Sequence, residues 1–590
     1  MYKLPVYIAT LIFFHCVATS QPYYYKGEVK DEQGSLLQNV AILHNNSGYV
    51  YYSGQGGSFG LVLQKAKDTL TFSMAGYYKQ KLIIDPTKYT TVILKKQPKL
   101  SASPYKLSSL TENLRRETQQ QWFVGDETYA SIIENQFVPA RHHPSTGVSL
   151  NVDRASYSNI RRFINMQTLV PPDAVRIEEM LNYFNFNYSE PAAGKTFEIS
   201  SVVTDCPWNA ANQLMFAQIS SRKIAIDSLP AANFVFLIDV SGSMDMPNRL
   251  PLLKASFRGL VNNLRQKDLV SIVVYGGTVG IMLQATSGAD KDKIFAVIDS
   301  LTPGGNTPGE SGIKLAYNLA RKHFIEKGNN RVILATDGDF NVGLRSEADL
   351  EKLIEEQSST GVYLTCLGVG MGNYKDSKIQ VLAKKGRGNF AYLDSYAEGE
   401  KVMMKEFMQT LYVVADDAYL HVQFDPEQVK EYRLIGFDNK MGAIKDTLAL
   451  IEGGSIGSAY SMIVTFEITP NNTAAAKIGS ASLARFSLSY KVPSEAYTRS
   501  EVIQPQLNYT PLNKLERSYQ FATSVMMFGS ILKESRIAKN ISFNDVSLLA
   551  AQSANMELPS QKEFLSLVQQ AKSIYSKKKK IGLGQIGFRN

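Results

Sequence analysis

Cysteine is scarce: the 590-residue sequence holds three, Cys16, Cys206 and Cys366. So few thiols exclude the disulfide framework on which small exported domains rely. Long apolar runs are scarcer still. After the N-terminal segment no stretch reaches the roughly eighteen uninterrupted apolar residues that a membrane-spanning helix needs. Histidine is rare too, six in all, and no Cys or His lies at metal-ligand spacing from His142 and His143, which read as a linker pair. A strong charge of one sign is lacking as well. The formal +9 is thinly spread apart from four lysines at 577–580, a solvated tail in the plainer reading, with an acidic envelope or membrane surface as the alternative. Repeats of solenoid period are absent.

What is present is globular material. The 44% hydrophobic and 20% charged composition excludes wholesale disorder, and the length predicts roughly three or four domains. The first twenty residues carry Lys3, an apolar run over 4–17 and small residues Ala18 and Ser20, the pattern of a signal peptide cut before Gln21. Phe13, Phe14 and His15 ahead of Cys16 argue against a lipoprotein site. The expectation is an exported bacterial protein of the periplasm or the cell envelope or surface, soluble or peripherally attached, with no nucleic-acid partner. Of the two remaining cysteines, Cys366 lies within the apolar run 362–369 and reads as a buried free thiol.

The chain divides by pattern. Residues 24–96 alternate as short strands at 25–29, 40–43, 49–52, 69–73, 81–84 and 90–94, punctuated by Gly, Asn and Asp, which predicts a small β-sandwich. Its phrases Gly27-Glu28-Val29-Lys30-Asp31-Glu32-Gln33-Gly34 and Thr69-Leu70-Thr71-Phe72-Ser73-Met74-Ala75-Gly76-Tyr77 resemble the carboxypeptidase regulatory-like domain, an accessory module that implies no peptidase. A polar linker with a short helix is expected over 97–135. Residues 136–230 form a second region, with an amphipathic helix beginning near Pro172 and Asp173 whose apolar positions 177, 180, 181 and 184 share one face.

From 231 to 412 apolar strands at 234–238, 270–275, 331–335, 362–369 and 390–393 alternate with helical stretches at 250–265, 290–301, 310–324, 347–358 and 397–411. Strands that read as continuous Val, Ile and Leu are buried on both faces, so this is a doubly wound α/β domain. A β-rich region follows over 413–495, then a helical region over 496–576 and the basic tail 577–590. Strand-like segments at 197–203 and 214–219 precede the α/β domain, and others at 419–424, 432–437, 460–468 and 481–490 come after it. Both flanks are expected to pair into one β-sandwich with the α/β domain inserted between them. The fold class is thus multidomain α/β plus β, ending in a helical segment.

Three loops of the α/β domain carry the chemistry. The first strand ends in Asp239-Val240-Ser241-Gly242-Ser243, the second loop is Gly304-Gly305-Asn306-Thr307, and the third is Ala335-Thr336-Asp337-Gly338-Asp339. In an open α/β sheet, ligands bind at the carboxyl ends of strands, where such loops stand. Together Asp239, Ser241, Ser243, Thr307 and Asp337 resemble the metal-ion-dependent adhesion site of von Willebrand factor type A (VWA) domains, position for position. The resemblance implies a Rossmann-like fold and a bound Mg²⁺, with Mn²⁺ or Ca²⁺ as substitutes. It further implies that the serines and threonine coordinate directly and the aspartates partly through water. A small hard cation that takes about six oxygens and keeps some waters suits these residue types.

Only two carboxylates face the dication, so an Asp or Glu of a protein partner is expected to fill its open position. No His and no evidently placed Glu stands ready as a hydrolytic base; Glu310 and Asp339 are the nearest unassigned acids and read as surface or supporting groups. An aspartyl-nucleophile phosphatase is excluded by Ser241, and Gly56-Gly57-Ser58-Phe59-Gly60 lacks the strand-to-helix elbow of an esterase. Gly368-Val369-Gly370-Met371-Gly372 misses the dinucleotide spacing and reads as a strand-end turn.

Over about 125–575 the chain also resembles exported bacterial VWA proteins of the YfbK type, through 175–184, Cys206-Pro207-Trp208-Asn209, 329–343 and 432–436. It departs from that pattern at Asn151, where the family has an acid, and over 454–460. The expected function is non-enzymatic adhesion through the metal; a structural envelope scaffold and a metal-dependent hydrolase are the alternatives.

Overall fold

The computed structural model describes residues 23–46, 50–63, 65–74, 77–96, 127–186, 188–225, 228–277, 279–305, 309–338, 347–371, 374–438, 453–472, 483–493, 495, 497–503 and 509–586. The expected signal peptide, Thr307, Asp339 and most of the expected linker lie outside them, as do the side chains of 577–586. The described residues fall into two compact units, one within 1–103 and one within 104–590.

The first unit is a β-sandwich. Strands β1 (Tyr23–Asp31), β2 (Ala41–His44), β3 (Val50–Tyr52), β4 (Ser58–Leu63), β5 (Asp68–Ser73), β6 (Gln80–Ile84) and β7 (Thr90–Leu94) form a sheet ordered β4-β1-β7 and another ordered β3-β2-β5-β6. Alternation turns Val29, Phe59, Leu61, Ile42, Phe72 and Val92 into one core. β4 is a strand that the sequence pattern did not predict, because outward Val62, 58% exposed, breaks the alternation of apolar and polar residues. It contains Ser58 and Gly60 of the esterase-like string, in a turn-to-strand setting without an elbow.

The second unit begins with β8 (Val138–Pro139), β9 (Ser145–Ser149), α1 (Ala155–Asn165), α2 (Ile177–Asn182), β10 (Phe197–Asp205) and β11 (Gln213–Ser221). The predicted helix start at Pro172 is a single 3-10 turn, Pro172–Ala174, and the α-helix proper begins at Ile177. Next comes the α/β part: β12 (Ala232–Asp239), α3 (Leu250–Asn262), β13 (Leu269–Tyr275), β14 (Gly280–Ser287), α4 (Lys291–Ser300), α5 (Gly309–Lys322), β15 (Asn329–Thr336), α6 (Glu347–Ser358), β16 (Tyr363–Val369), α7 (Asp376–Lys385) and β17 (Phe390–Leu393). Its sheet runs β14-β13-β12-β15-β16-β17, parallel except for the edge strand β14. Phe234, Phe236 and Ile238 pack on α3 from one face, and α5 covers β12, β13 and β15 from the other. β12 sits where the strand order reverses, so its carboxyl end opens onto the crevice where such sheets bind ligands.

The expected single helix over 397–411 is broken into α8 (Tyr396–Glu400), a π-turn at Lys401–Lys405 and α9 (Phe407–Leu411). The extra residue of a π-turn accompanies Lys401 being drawn over the Tyr183 ring, 3.2 Å from its centroid, while it pairs with Glu406 at 3.6 Å.

β18 (Val413–Phe424), β19 (Val429–Ile435), β20 (Gly454–Gly457), β21 (Ser461–Pro470), β22 (Ala484–Lys491) and β23 (Thr498–Ile503) complete two facing sheets, β10-β11-β21-β19-β8 and β20-β18-β22-β23, with β9 on β18. β11 pairs antiparallel with β21, Gln213 opposite Ile468, so segments from before and after the α/β part share one sheet. Val203, Met215, Leu420, Phe466 and Phe486 fill the space between the sheets. Helices Arg517–Leu532, Phe543–Ser553 and Pro559–Ile586 join α1 and α2 in a second core, in which Phe184 meets Phe521 edge-on at 5.1 Å.

Three expected boundaries shift. Residues 127–135 are not linker: Glu127 pairs with Arg162, and the Asn135 amide donates to the Gly436 carbonyl at 2.8 Å. β23 extends the β-rich region past 495 because its backbone completes the ladder of β22. The helix Pro559–Ile586 runs through most of the expected tail. Both Cys206 and Cys366 are buried and free.

The N-terminal flank grips the α/β part at the start of β17. Asn151 Oδ1 accepts the Asn389 side-chain amide at 3.1 Å, Asn151 Nδ2 donates to the Gly388 carbonyl at 3.2 Å, and Asp153 accepts the Phe390 amide at 2.7 Å. Burial, then repulsion from Glu179, pushes the Asp153 carboxyl up to about 8. The folded state therefore binds this proton more tightly than the unfolded chain, so the contribution is full below about pH 4 and is lost as pH rises toward about 8. Asp153→Asn, which keeps an acceptor for Phe390, is expected to gain stability relative to the parent as pH rises from about 5 to about 8. Urea unfolding at several pH values checks this, and a pH-independent offset contradicts it.

Candidate metal centre

β12 delivers Asp239 at its end, 1% exposed. The chain then turns through a 3-10 step, Gly242–Met244, which brings the two serines to the same side: Ser241 Oγ and Ser243 Oγ are 3.1 Å apart. Asp239 Oδ1 accepts the Ser241 amide at 2.9 Å and Oδ2 accepts the Thr336 hydroxyl at 3.2 Å. Asp337, the next residue after β15, is fully buried. The end of β12 and the end of its neighbour β15 thus place four of the five predicted residues in one crevice. Burial raises the Asp239 carboxyl to about 6, against the hydrogen bonds from Ser241, and Asp337 adds repulsion. The same carboxylate, after burial, holds the Tyr275 phenol protonated well above its usual range.

Thr307 lies outside the described residues, but the loop leading to it is strapped to this turn. Gly304 donates to the Val240 carbonyl at 2.7 Å, and Gly242 donates to Gly305 at 3.1 Å. Gly305 has φ +73°, and a Cβ there would stand 2.1 Å from Gly277 Cα, so a side chain would push this loop away from the segment that follows β13. Glu310, two per cent exposed at the start of α5, is held by Lys314. Asp339 lies outside the described residues. His142 and His143 form a turn whose amides donate to the Pro139 carbonyl, and among the described residues they belong to no group of three or more His, Cys, Asp or Glu that could hold a metal.

The donor set fits a small hard cation. Its atoms are hydroxyl and carboxylate oxygens, and two adjacent oxygens of an octahedron with bonds of about 2.1 Å stand about 3.0 Å apart, against 3.1 Å for the two serine hydroxyls. Asp239, buried and repelled by Asp337, would be stabilised in its ionised form by a cation beside it.

Sequence reasoning missed Arg249. It precedes α3, and its guanidinium donates to Asp337 Oδ2 at 2.8 Å, to the Ser243 carbonyl and to the Met371 carbonyl at 2.8 Å. Nothing in the local pattern marks a lone arginine ahead of a helix. Thr336, which braces Asp239, adjoins a predicted ligand and was legible only as part of that loop.

Comparison with known proteins agrees with this architecture. The von Willebrand factor type A domain model matches residues 233–408, a von Willebrand factor model matches 124–216, and the model for the C-terminal part of the uncharacterized protein YfbK matches 409–574. The uncharacterized protein YfbK of Escherichia coli (strain K12) is 34% identical over 473 residues, covering 76% of this chain and 82% of that protein. The magnesium-chelatase 67 kDa subunit of Chlorobaculum parvum is 26% identical over 36% of this chain and 39% of its own length. Among solved structures, the von Willebrand factor type A protein from Catenulispora acidiphila has a TM-score of 0.41 at 14% identity, covering 65% of this chain and 91% of its own. The identity and coverage shared with YfbK, together with the matched VWA and C-terminal models, place the chain in the YfbK family of VWA-domain proteins.

Proposed function

We propose that this chain is an exported, non-enzymatic interaction protein whose VWA domain grips an Asp or Glu of a protein partner through Mg²⁺ held by Asp239, Ser241, Ser243, Thr307 and Asp337. The observation that carries the reading is the pair of serine hydroxyls 3.1 Å apart above two buried carboxylates, at the strand-order reversal. When bound, the cation supplies an electrophilic position that a carboxylate oxygen fills. The chain's own work is to hold its oxygens still: the Ser241 amide and the Thr336 hydroxyl fix Asp239, and the 3-10 turn fixes the serines. Preorganised donors make a ligand site that costs little to order.

Binding is favoured over hydrolysis by the neighbouring acids. Glu310 is engaged by Lys314 and is therefore poorly placed to take a proton from water. The signal-type pattern of residues 1–20 supports the reading of an envelope protein, in which the small β-sandwich would serve as an accessory module.

The test is capture from envelope extract on the immobilised full chain. Partners are expected to be retained in Mg²⁺ and released by chelator, and Asp239→Ala is expected to retain none of the chelator-sensitive set. An identical set on the parent and on Asp239→Ala, unaffected by chelator, contradicts the adhesive reading.

A further inference from the structure

We infer that Arg249 is a built-in counter-cation of the metal centre, one that makes the loaded centre select an anionic ligand over a neutral one; the inference rests on the metal-centre reading above. Its basis is geometric. The Arg249 side chain is 8% exposed, and its guanidinium is pinned by three separate segments: the Ser243 carbonyl of the serine turn, Asp337 Oδ2 at the end of β15 and the Met371 carbonyl beyond β16. Gly370 clears the space it occupies. With φ +79°, that residue has no Cβ, and one built there would stand 2.5 Å from Arg249 Nε. This is a constructed position rather than a surface ion pair.

Charge sets the ligand preference. A guanidinium stays ionised under all ordinary conditions. Asp239 and Asp337 alone would neutralise a divalent cation, leaving the open position with no preference between a carboxylate and a carbonyl oxygen. With Arg249 inside the same buried cluster, the loaded centre keeps one positive charge, and a carboxylate ligand cancels it. A positive charge in a low-dielectric crevice strongly favours an anionic ligand. The same guanidinium repels the incoming cation and occupies one oxygen of Asp337, so it loosens metal binding while sharpening ligand choice.

The two effects have opposite signs, which separates them from simple damage to the fold. Mn²⁺ titration of the full chain, followed by electron paramagnetic resonance, reads the metal; acetate and acetamide titrated into the Mn²⁺-loaded chain, followed by water-proton relaxation, read the ligand. Arg249→Met is expected to bind Mn²⁺ about tenfold or more tightly than the parent and to lose about tenfold in its preference for acetate over acetamide. Arg249→Gln, whose amide still reaches toward the two carbonyls, is expected to do the same should the methionine variant misfold. Arg249→Lys keeps the charge and should stay within about threefold of the parent in both readouts.

Unchanged or weaker Mn²⁺ binding in both neutral variants, with Mn²⁺ bound by the parent and lost in Asp239→Ala, overturns this inference and leaves the metal-centre reading intact. Absence of Mn²⁺ binding by the parent and by every Arg249 variant overturns both.

Discussion

Millimolar Mg²⁺ is expected to stabilise the full chain, and Asp239→Ala is expected to abolish that stabilisation. Asp239 and Asp337 are buried at the ends of adjacent strands, and burial together with their mutual repulsion opposes ionisation of Asp239. A divalent cation relieves that cost in the folded state, and the unfolded chain, in which the three loops are apart, offers it no comparable site. Binding confined to the folded state stabilises by about 2.7 kcal/mol at a free metal concentration of about 100 times Kd. Asp239→Ala removes a proposed ligand and also the acceptor for the Ser241 amide and the Thr336 hydroxyl, so the serine turn loses its anchor. Its stability without Mg²⁺ should change much less, because losing those hydrogen bonds, about 1 kcal/mol each, is offset by losing the repulsion with Asp337. Calorimetric melting with and without chelator measures both quantities. A Mg²⁺-dependent rise in Tm that survives in Asp239→Ala contradicts the assignment.

The second large effect lies away from the metal. Arg161→Ala is expected to cost about 3–5 kcal/mol, the range for stripping a partner from buried charges. Arg161 extends from α1 into the end of the α/β part. Its Nε donates to Asp394 at 2.7 Å, Nη2 to Asp394 and to Glu398 at 2.7 Å, and Nη1 to Glu563 and to the Tyr183 hydroxyl, each at 3.0 Å. The Tyr183 hydroxyl in turn donates to Glu398. Burial already holds Asp394 above the usual carboxylate value, against the pull of Arg161.

Without the guanidinium, burial holds the Asp394 carboxyl higher still in the folded state, above its unfolded value. Its stabilising proton is then lost as pH rises, and the deficit of Arg161→Ala should grow as pH rises above about 4. Lys405→Ala is the control, since Lys405 and Glu400 are 69% and 37% exposed and pair at the surface; there the cost should be below about 1 kcal/mol. Equal costs for the two variants in urea unfolding contradict the buried character of this interface.

The clustering of the candidate loops was legible from their context: an apolar strand buried on both faces runs straight into Asp239-Val240-Ser241-Gly242-Ser243, and β15, its neighbour in the sheet, ends just before Asp337. The parallel strands were legible for the same reason. β14 was not, since as an edge strand with exposed Met282 it reads neither as a continuous apolar run nor as a clean alternation. Helix α7 is short and partly polar, and its buried Asp376 makes sense only beside Arg176, 200 residues earlier in the chain. The same holds for Arg161, Arg162 and Arg249. A charged residue in a sequence reads as surface, and what buries these arginines is a carboxylate brought in by tertiary structure: Asp337 lies 88 residues from Arg249. The pairing of β11 with β21, by contrast, was anticipated from strand-like segments on both sides of the α/β part.

The most direct measurement is anomalous scattering at the manganese edge from crystals of the full chain grown in MnCl₂, with Asp239→Ala crystals alongside. The expected result is a single strong peak within bonding distance of Ser241 Oγ and Ser243 Oγ, on the side of Asp239 and Asp337, and no peak there in the variant. A parent crystal with no manganese at those hydroxyls, or with manganese bound equally well in Asp239→Ala, would contradict a metal centre at this crevice.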